Sequence, residues 1–474
     1  MKDNHYQAKR RRLIHPLLCT KATFAGLLSV TLAAPVLAGN LDDQDFGNEV
    51  KNLMADAVQS VCGKFVGNNS ADNPVVLTND QSKLFTRCRQ MVHTANELEG
   101  SGPTADSLSL SEEELGEAMQ ALADEEVGVQ GDWATRSANQ QLTNMKGRFA
   151  ALHSGTTGLS INGLSIENSE GIIAFSDQWI DAPKGGNAGD GSSKIGVFIN
   201  GNISTGERDE TELQTGYDLD SIGITAGVDY RFTPDLILGV ALGYTDTEAD
   251  YDNNEGSQDI EGVNYTLYGT YTYNNFYLDA AISAGQQDYD STRTVFYADG
   301  EVNTKPNAST EGDQINGYVA GGYQIPIDQI QLSTYAQLHY LDIEIDAFEE
   351  TGGNDPSINM AVEEQSVESL QTVIGAQLAK NFSADWGVIA PYAKLDWHHE
   401  FEDDARTTTF QYVFDPFNTS YTLNTDEPDS NYFIAGLGMN LIFDSGQVFV
   451  DYQTPLGLSD VTNHALTIGA KFDF

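Results

Sequence analysis

The stretch Val263-Asn-Tyr-Thr-Leu-Tyr-Gly-Thr-Tyr-Thr-Tyr273, with Asn274-Asn275 and then Phe276-Tyr-Leu-Asp-Ala-Ala-Ile-Ser-Ala-Gly285, decides the fold. In the first arm Val263, Tyr265, Leu267, Gly269, Tyr271 and Tyr273 share one face. Asn264, Thr266, Tyr268, Thr270 and Thr272 share the other. In the second arm Phe276, Leu278, Ala280, Ile282 and Ala284 face away from Asp279 and Ser283. A period of two belongs to strands, whose successive side chains point to opposite sides. Arms of about ten residues, apolar on one face and polar on the other, suit strands that meet lipid and water at once.

Working outward, the same pattern fills residues 194–474. Twelve candidate strands start near 194, 221, 236, 261, 276, 313, 329, 366, 386, 431, 446 and 463. Their connections alternate in length. Thr233-Pro234-Asp235, Asn274-Asn275, Pro326-Ile327-Asp328, Ser383-Ala384-Asp385 and Asp444-Ser445-Gly446 are tight, whereas 205–220, 247–260, 289–312, 345–365 and 401–430 are long and acidic. An even strand count with short turns at one end and long loops at the other predicts a membrane barrel. A soluble sandwich would give shorter strands at closer spacing, without that alternation. Tyr230, Phe232, Tyr244, Tyr271, Tyr273, Phe276, Trp386 and Trp397 fall near strand ends, where interfacial girdles of a barrel lie.

The expected fold is therefore mainly β: a twelve-stranded antiparallel transmembrane β-barrel preceded by a small α-helical region. Asp229, Arg231, Asp279, Lys394, Asp396, Asp451 and Lys471 occupy inward positions. They would line a wet lumen, either holding a plug helix through charge pairs or solvating a pore. Phe472 and Phe474 complete the closing strand and provide the terminal aromatic expected of an insertion signal.

Charge narrows the partners. Of 474 residues, 24 are Lys or Arg and 70 are Asp or Glu, a formal charge of −46. Nucleic acid is excluded as a partner, because a polyanion needs a basic surface to displace its counterions. Residues 1–38 carry +5, residues 39–189 carry −13 and residues 190–474 carry −38. Such acidic loops would face phosphate-bearing lipopolysaccharide, with loosely bound divalent cations or salt to screen them.

The N-terminus reads as an address. Lys9-Arg10-Arg11-Arg12 precedes an apolar stretch from Phe24 to Leu32 and the small-residue site Val36-Leu37-Ala38, predicting a signal peptide over 1–38. Leu17-Leu18 before Cys19 do not suit a lipoprotein site. In an oxidising compartment Cys62 and Cys88 are expected to pair, since two thiols are too few to hold a metal. They would staple a helical region, 39–130. Helices are predicted from Asp45 to Val61, after Thr78-Asn79-Asp80 and after the capping box Ser111-Glu112-Glu113-Glu114. Residues 131–193 form a connector: an amphipathic stretch from about Asp132 to His153, an alternating segment 158–166, and the Gly-rich run 181–193.

Gly227-Val-Asp-Tyr-Arg-Phe232, Leu238-Gly-Val-Ala-Leu-Gly-Tyr244, Phe276-Tyr-Leu-Asp279, Pro391-Tyr-Ala-Lys-Leu-Asp-Trp397, His399-Glu-Phe-Glu-Asp-Asp404 and the final Phe-Asp-Phe together resemble the autotransporter β-domain over most of 194–474. The resemblance implies an outer-membrane translocator in a Gram-negative envelope, with surface-exposed loops and a pore holding a helix that leads to an N-terminal passenger. It also implies barrel-assembly machinery and periplasmic chaperones as partners. Asn144-Met-Lys-Gly-Arg-Phe-Ala-Ala-Leu152 resembles the connector helix. Some members cleave themselves at an Asn-Asn pair there. Gln140-Gln141 stands in the comparable place, so an uncleaved chain is expected. The passenger is short, without a long β-helix or an esterase motif.

Nothing in the sequence assembles a catalytic set, and no cofactor or metal is expected. His339 and His399 lack the companions of a barrel lipase. Asp250, Asp252, His398 and His399 match a barrel protease in residue type alone. Asp250-Tyr-Asp-Asn-Asn-Glu-Gly256 imitates a calcium loop but has Glu255 where the turn requires Gly. Gly-x-Ser-x-Gly is absent. The alternatives to display are a small-solute pore plugged by 39–189, and a barrel hydrolase.

Overall fold

The computed structural model describes residues 41–68, 76–101, 105–153, 159–162, 166–167, 194–328, 330–443, 446–457 and 465–472. The expected signal peptide, the run 181–193 and Phe474 lie outside them. Twelve long strands, numbered here in chain order, form the barrel wall: β1 (Ile195–Arg208), β2 (Tyr217–Arg231), β3 (Leu236–Tyr251), β4 (Gly256–Tyr273), β5 (Phe276–Arg293), β6 (Pro306–Ile327), β7 (Ile330–Ile345), β8 (Gln365–Lys380), β9 (Gly387–Glu400), β10 (Asn431–Phe443), β11 (Gly446–Leu456) and β12 (Ala465–Phe472). Each pairs antiparallel with its sequence neighbours, from β1 through to β12. Two short segments, Leu159–Asn162 and Ile166–Glu167, pair in parallel with β1 and lie against β12, at the seam of the barrel.

The turns follow local chemistry. Between β4 and β5 only Asn274 and Asn275 intervene, and Asn274 takes φ 52°. Asparagine tolerates that left-handed region better than most residues, because its short side chain bonds locally. The period of two then fixes the faces. Ile222, Ile224, Val240, Leu242, Tyr265, Leu267 and Ile282 are exposed on the outside, while Thr225, Asn264, Thr266, Thr270 and Gln287 are buried within. This is the lipid-out, polar-in arrangement of a membrane barrel.

Past the apolar band the outer face turns acidic. Asp218 stands opposite Asp250, Asp220 opposite Glu248, Glu248 opposite Asp259 and Asp259 opposite Asp290. Glu261 faces Asp288, Asp288 faces Glu311, and Asp313 faces Glu344. These side chains are exposed. Like charges directly opposed across strands repel.

The long connections fold. Residues 295–304 make a hairpin, and four short strands, Phe348–Glu349, Met360–Val362, Thr407–Tyr412 and Ser420–Asn424, make a second small sheet. Of the regions 205–220 and 247–260, expected as loops, residues 205–208, 217–220, 247–251 and 256–260 are continuations of strands. Against these extensions sit three helices, α1 (Glu49–Asn68), α2 (Asn79–Leu98) and α3 (Glu112–Leu122). Thr78 and Gln81 form a reciprocal capping box on α2, and Ser111 and Glu114 form another on α3. A disulfide joins Cys62 of α1 to Cys88 of α2 across a Cα separation of 5.6 Å. Helices and loops share one apolar core. Phe65 stacks on Phe85 at 5.2 Å and meets the edge of Phe417 at 5.3 Å, with Val295, Tyr297, Met360, Phe410 and Leu423 in the same cluster. The three helices thus form a lid over the long-loop end of the barrel.

Candidate functional site

A fourth helix, α4 (Glu126–His153), leaves the lid and occupies the lumen. It starts six residues before the stretch expected from the amphipathic pattern. Its apolar residues meet a few aromatic positions on the wall, and its amides and hydroxyls meet the polar inner face, so helix and lumen satisfy one another.

At the outer mouth, Asp132 pairs with Arg208 at 2.8 Å and with Arg406, and Arg208 also reaches Asp426 at 2.7 Å. Burial pushes the Asp132 carboxyl up, but the two arginines outweigh it and hold it below the usual carboxylate range. At the next residue, Trp133 packs edge-on against Tyr217 at 4.9 Å and tilted over Tyr251 at 5.1 Å. Midway, Ser137 bonds Thr245 at 2.8 Å, and the Gln141 amide donates to Thr266 at 3.0 Å. Gln140 donates to Ser221, and Thr225 donates to the Gln141 carbonyl. A Cβ on Gly243 would lie 1.9 Å from the Gln141 Oε1, so a side chain there would displace the Gln141 amide from its wall contacts.

At the inner end the contact becomes ionic. Arg148 Nε donates to Asp229 Oδ2 at 2.8 Å, and the Tyr268 hydroxyl donates to the same oxygen at 2.8 Å. Arg148 is fully buried and Asp229 is 5% exposed. The guanidinium also lies 4.9 Å from the Phe198 ring centre. Phe149 fills the space beside it, 5.8 Å from Tyr268 and 6.0 Å from Tyr318. Lys146 sits over Tyr318 at 5.3 Å.

The residues expected in the lumen divide between two walls. Asp229 meets the helix. Arg231 turns to the Pro234 carbonyl at 2.9 Å, in the short turn. Asp279 is buried on the inner face of β5. Lys394 and Asp396 pair with each other at 2.9 Å on β9, and the Tyr335 hydroxyl donates to Asp396. For Asp451, Lys471 and Phe472 the backbone places them on β11 and β12, where Asp451 opposes Thr467 and Lys471 opposes Gln447.

No hydrolytic set forms among the described residues. His339 contacts Asn316 at 2.9 Å, His398 contacts Gln371 at 3.1 Å and stacks on Tyr432, and His399 stacks on Trp397. Asp250 sits exposed on β3, with strands β4 to β8 between it and His398 on β9. Nor does any group of three His, Cys, Asp or Glu side chains converge as a metal site among those residues. Sequence reasoning missed the partners that matter most: Arg148 for Asp229, and Arg208 and Arg406 for Asp132. With only 24 basic residues in the chain, each Arg within the barrel region or connector helix was the available signal.

A family model described as the autotransporter beta-domain matches residues 197–453, more than half of the chain. The chain belongs to the autotransporter family. Its barrel is an outer-membrane translocator of a Gram-negative bacterium, and that domain is not itself catalytic. Among similar proteins, outer membrane protein A of Rickettsia conorii is 24% identical over 313 residues, covering 62% of this chain and 15% of the relative. Lipase 1 of Photorhabdus luminescens is 26% identical over 227 residues, covering 46% of this chain and 33% of the relative. The chain thus matches only a small part of its longer relatives. The translocator domain of autotransporter NalP from Neisseria meningitidis shares 15% identity over 59% of this chain and 87% of that one, with a TM-score of 0.42.

Proposed function

We propose that this autotransporter carries its own short N-terminal segment to the cell surface and keeps it there as an uncleaved lid. The carrying observation is the continuity of the path: α1–α3 share a core with the long connections, and α4 runs from that core through the lumen to the buried Arg148–Asp229 pair. Such a segment is anchored at both ends once secreted. Folding of the lid outside, with its disulfide and its loop contacts, opposes return through the barrel, so translocation needs no covalent chemistry. Gln140 and Gln141, both bonded to the wall, support a chain that stays whole.

Barrel-assembly machinery and periplasmic chaperones are the partners this reading requires. Lipopolysaccharide would meet the acidic outer face, with divalent cations between its phosphates and the carboxylates. The chain acts without enzymatic activity of its own. A plugged solute pore is the second reading, favoured by the buried ion pair Lys394–Asp396 on the inner wall, a polar lining of the kind a pore needs. Protease treatment of intact cells should cut exposed connections of the lid, such as the turn at 99–101, and barrel extraction should recover α4 with the wall. Complete protection of the lid would overturn display. Steady conductance of the full-length protein in planar bilayers would favour the pore.

A further inference from the structure

The lid and the lumen helix meet at a joint that holds more negative charge than positive. Asp124 makes the turn between α3 and α4 with φ 54°. Around it lie Glu126 of α4, Arg293 at the outer end of β5 and Glu350 from the long connection between β7 and β8, every one of them under 9% exposed. Arg293 is already engaged. It donates to both Glu350 oxygens at 2.8 and 2.7 Å, and to the Ala121 carbonyl at the end of α3 at 3.3 Å. Asp124 Oδ1 stands 3.4 Å from Arg293, but its buried Oδ2 has no hydrogen-bond partner.

Asp124 lines a small cavity, about 20 Å³, together with Glu126, Gln130, Tyr251, Gln258 and Glu350. The volume is of the order needed for one water molecule. The Gln258 amide nitrogen on the same cavity is likewise buried without a partner. Three carboxyl groups therefore share a single guanidinium out of solvent. One is neutralised by Arg293, and ionising the other two would leave unbalanced charge in a nearly dry site.

We propose that this joint is a proton-controlled latch. It holds the lid closed over the barrel mouth while the surplus carboxyls are protonated, and loosens the lid when they ionise. The inference needs only the docked geometry, so it stands or falls apart from the display reading. Burial pushes Asp124 up, Arg293 pulls it back, and Glu350 adds to the rise. Burial likewise raises Glu126 well above the usual range, reinforced by Asp124 and opposed by Arg293. Glu125, facing Gln120, Glu255, Glu210 and Lys51, is pushed up to about 7, again by burial first. The other groups packed on the joint are Tyr217, Tyr251, Tyr412 and Tyr421, with Arg208 beside Tyr217.

The sign follows from linkage. A carboxyl raised in the docked state favours docking fully below its undocked value, near 4, and that stabilisation fades as pH rises through the docked value. Each titrating carboxyl changes the docking equilibrium by up to about tenfold per pH unit in that window.

Hydrogen exchange of the full-length protein in detergent, compared with Asp124→Asn/Glu126→Gln at each pH, tests this. The ratio of the two at one pH removes the intrinsic pH dependence of exchange. Wild-type protection of α3 should fall at least tenfold between pH 6 and 8.5, with the mid-barrel stretches 238–244 and 263–269 unchanged and the variant's α3 still protected. Parallel profiles for the two proteins would overturn the latch. Should the variant fail to fold, infrared spectra of the wild type decide: a protonated-carboxyl band present at pH 6 and lost by pH 8.5 supports it, and absence at pH 6 refutes it. Calcium that restores wild-type protection at pH 8.5, reversed by a chelator, would assign the joint to a cation and overturn proton control.

Discussion

At its inner end α4 is fixed by one charge pair on a continuous strand wall, Arg148 to Asp229, whereas at its outer end Asp124 and Asp132 meet arginines from three separate segments. The inner contact is concentrated, fully buried and built on strands that hydrogen bonds hold in place. The outer contact is spread across the lid, the strand extensions and the connection around Arg406, and part of it is open to solvent. A concentrated contact fails when one residue goes; a distributed one weakens by increments.

Substitutions that act at one end should separate the two. Arg148→Met leaves Asp229 buried without its cation and should cost about 3–5 kcal/mol, read as a lower unfolding temperature of the refolded barrel. A loss below about 1 kcal/mol would erase the distinction between the ends. Next in size, Cys62→Ser should cost the lid about 2–4 kcal/mol through the denatured chain. Proteolysis of α1–α3 should then rise while barrel melting stays in place. Gly243→Ala, midway along the helix, puts a methyl against Gln141 and should cost about 1–3 kcal/mol. Cysteine labelling of lumen residues should increase with it.

The smallest effect belongs to the mouth. Asp132 is 29% exposed, so Asp132→Asn should cost about 1 kcal/mol or less after solvent screening. Its pH dependence runs opposite to that of the joint. Because its carboxyl is lowered in the folded state, its contribution is present above about pH 4 and is lost as pH falls further. Acid titration of α4 protection in wild type against this variant measures the difference. Identical acid limbs would remove Asp132 from the account.

Much of the barrel was legible because alternation is a local property. Strands expected from 236, 276, 431 and 446 begin at Leu236, Phe276, Asn431 and Gly446. The start expected at 313 is the instructive miss, since β6 begins at Pro306. There the outward residues Asn307, Ser309 and Glu311 are polar, so the apolar half of the pattern vanishes although the ladder continues. The same blindness hid the small sheet of Met360–Val362 and Thr407–Tyr412, whose apolar residues are scattered through acidic connections and meet only in three dimensions. Asp229 could be placed on the inner face from periodicity alone. Its partner could not, because a helix carries no register against a wall 81 residues away in sequence.

The acidic rows on the outer face have a mechanical consequence. Carboxylates such as Asp220, Asp246, Glu261 and Asp288 begin within a few residues of Ile222, Tyr244, Val263 and Ile282, on one strand after another. A barrel riding lower would drag them into hydrocarbon, and one riding higher would strip lipid from the apolar band. Together they draw a waterline around the molecule. It fixes how far the mouth and its lid stand clear of the bilayer, whatever the lid is doing.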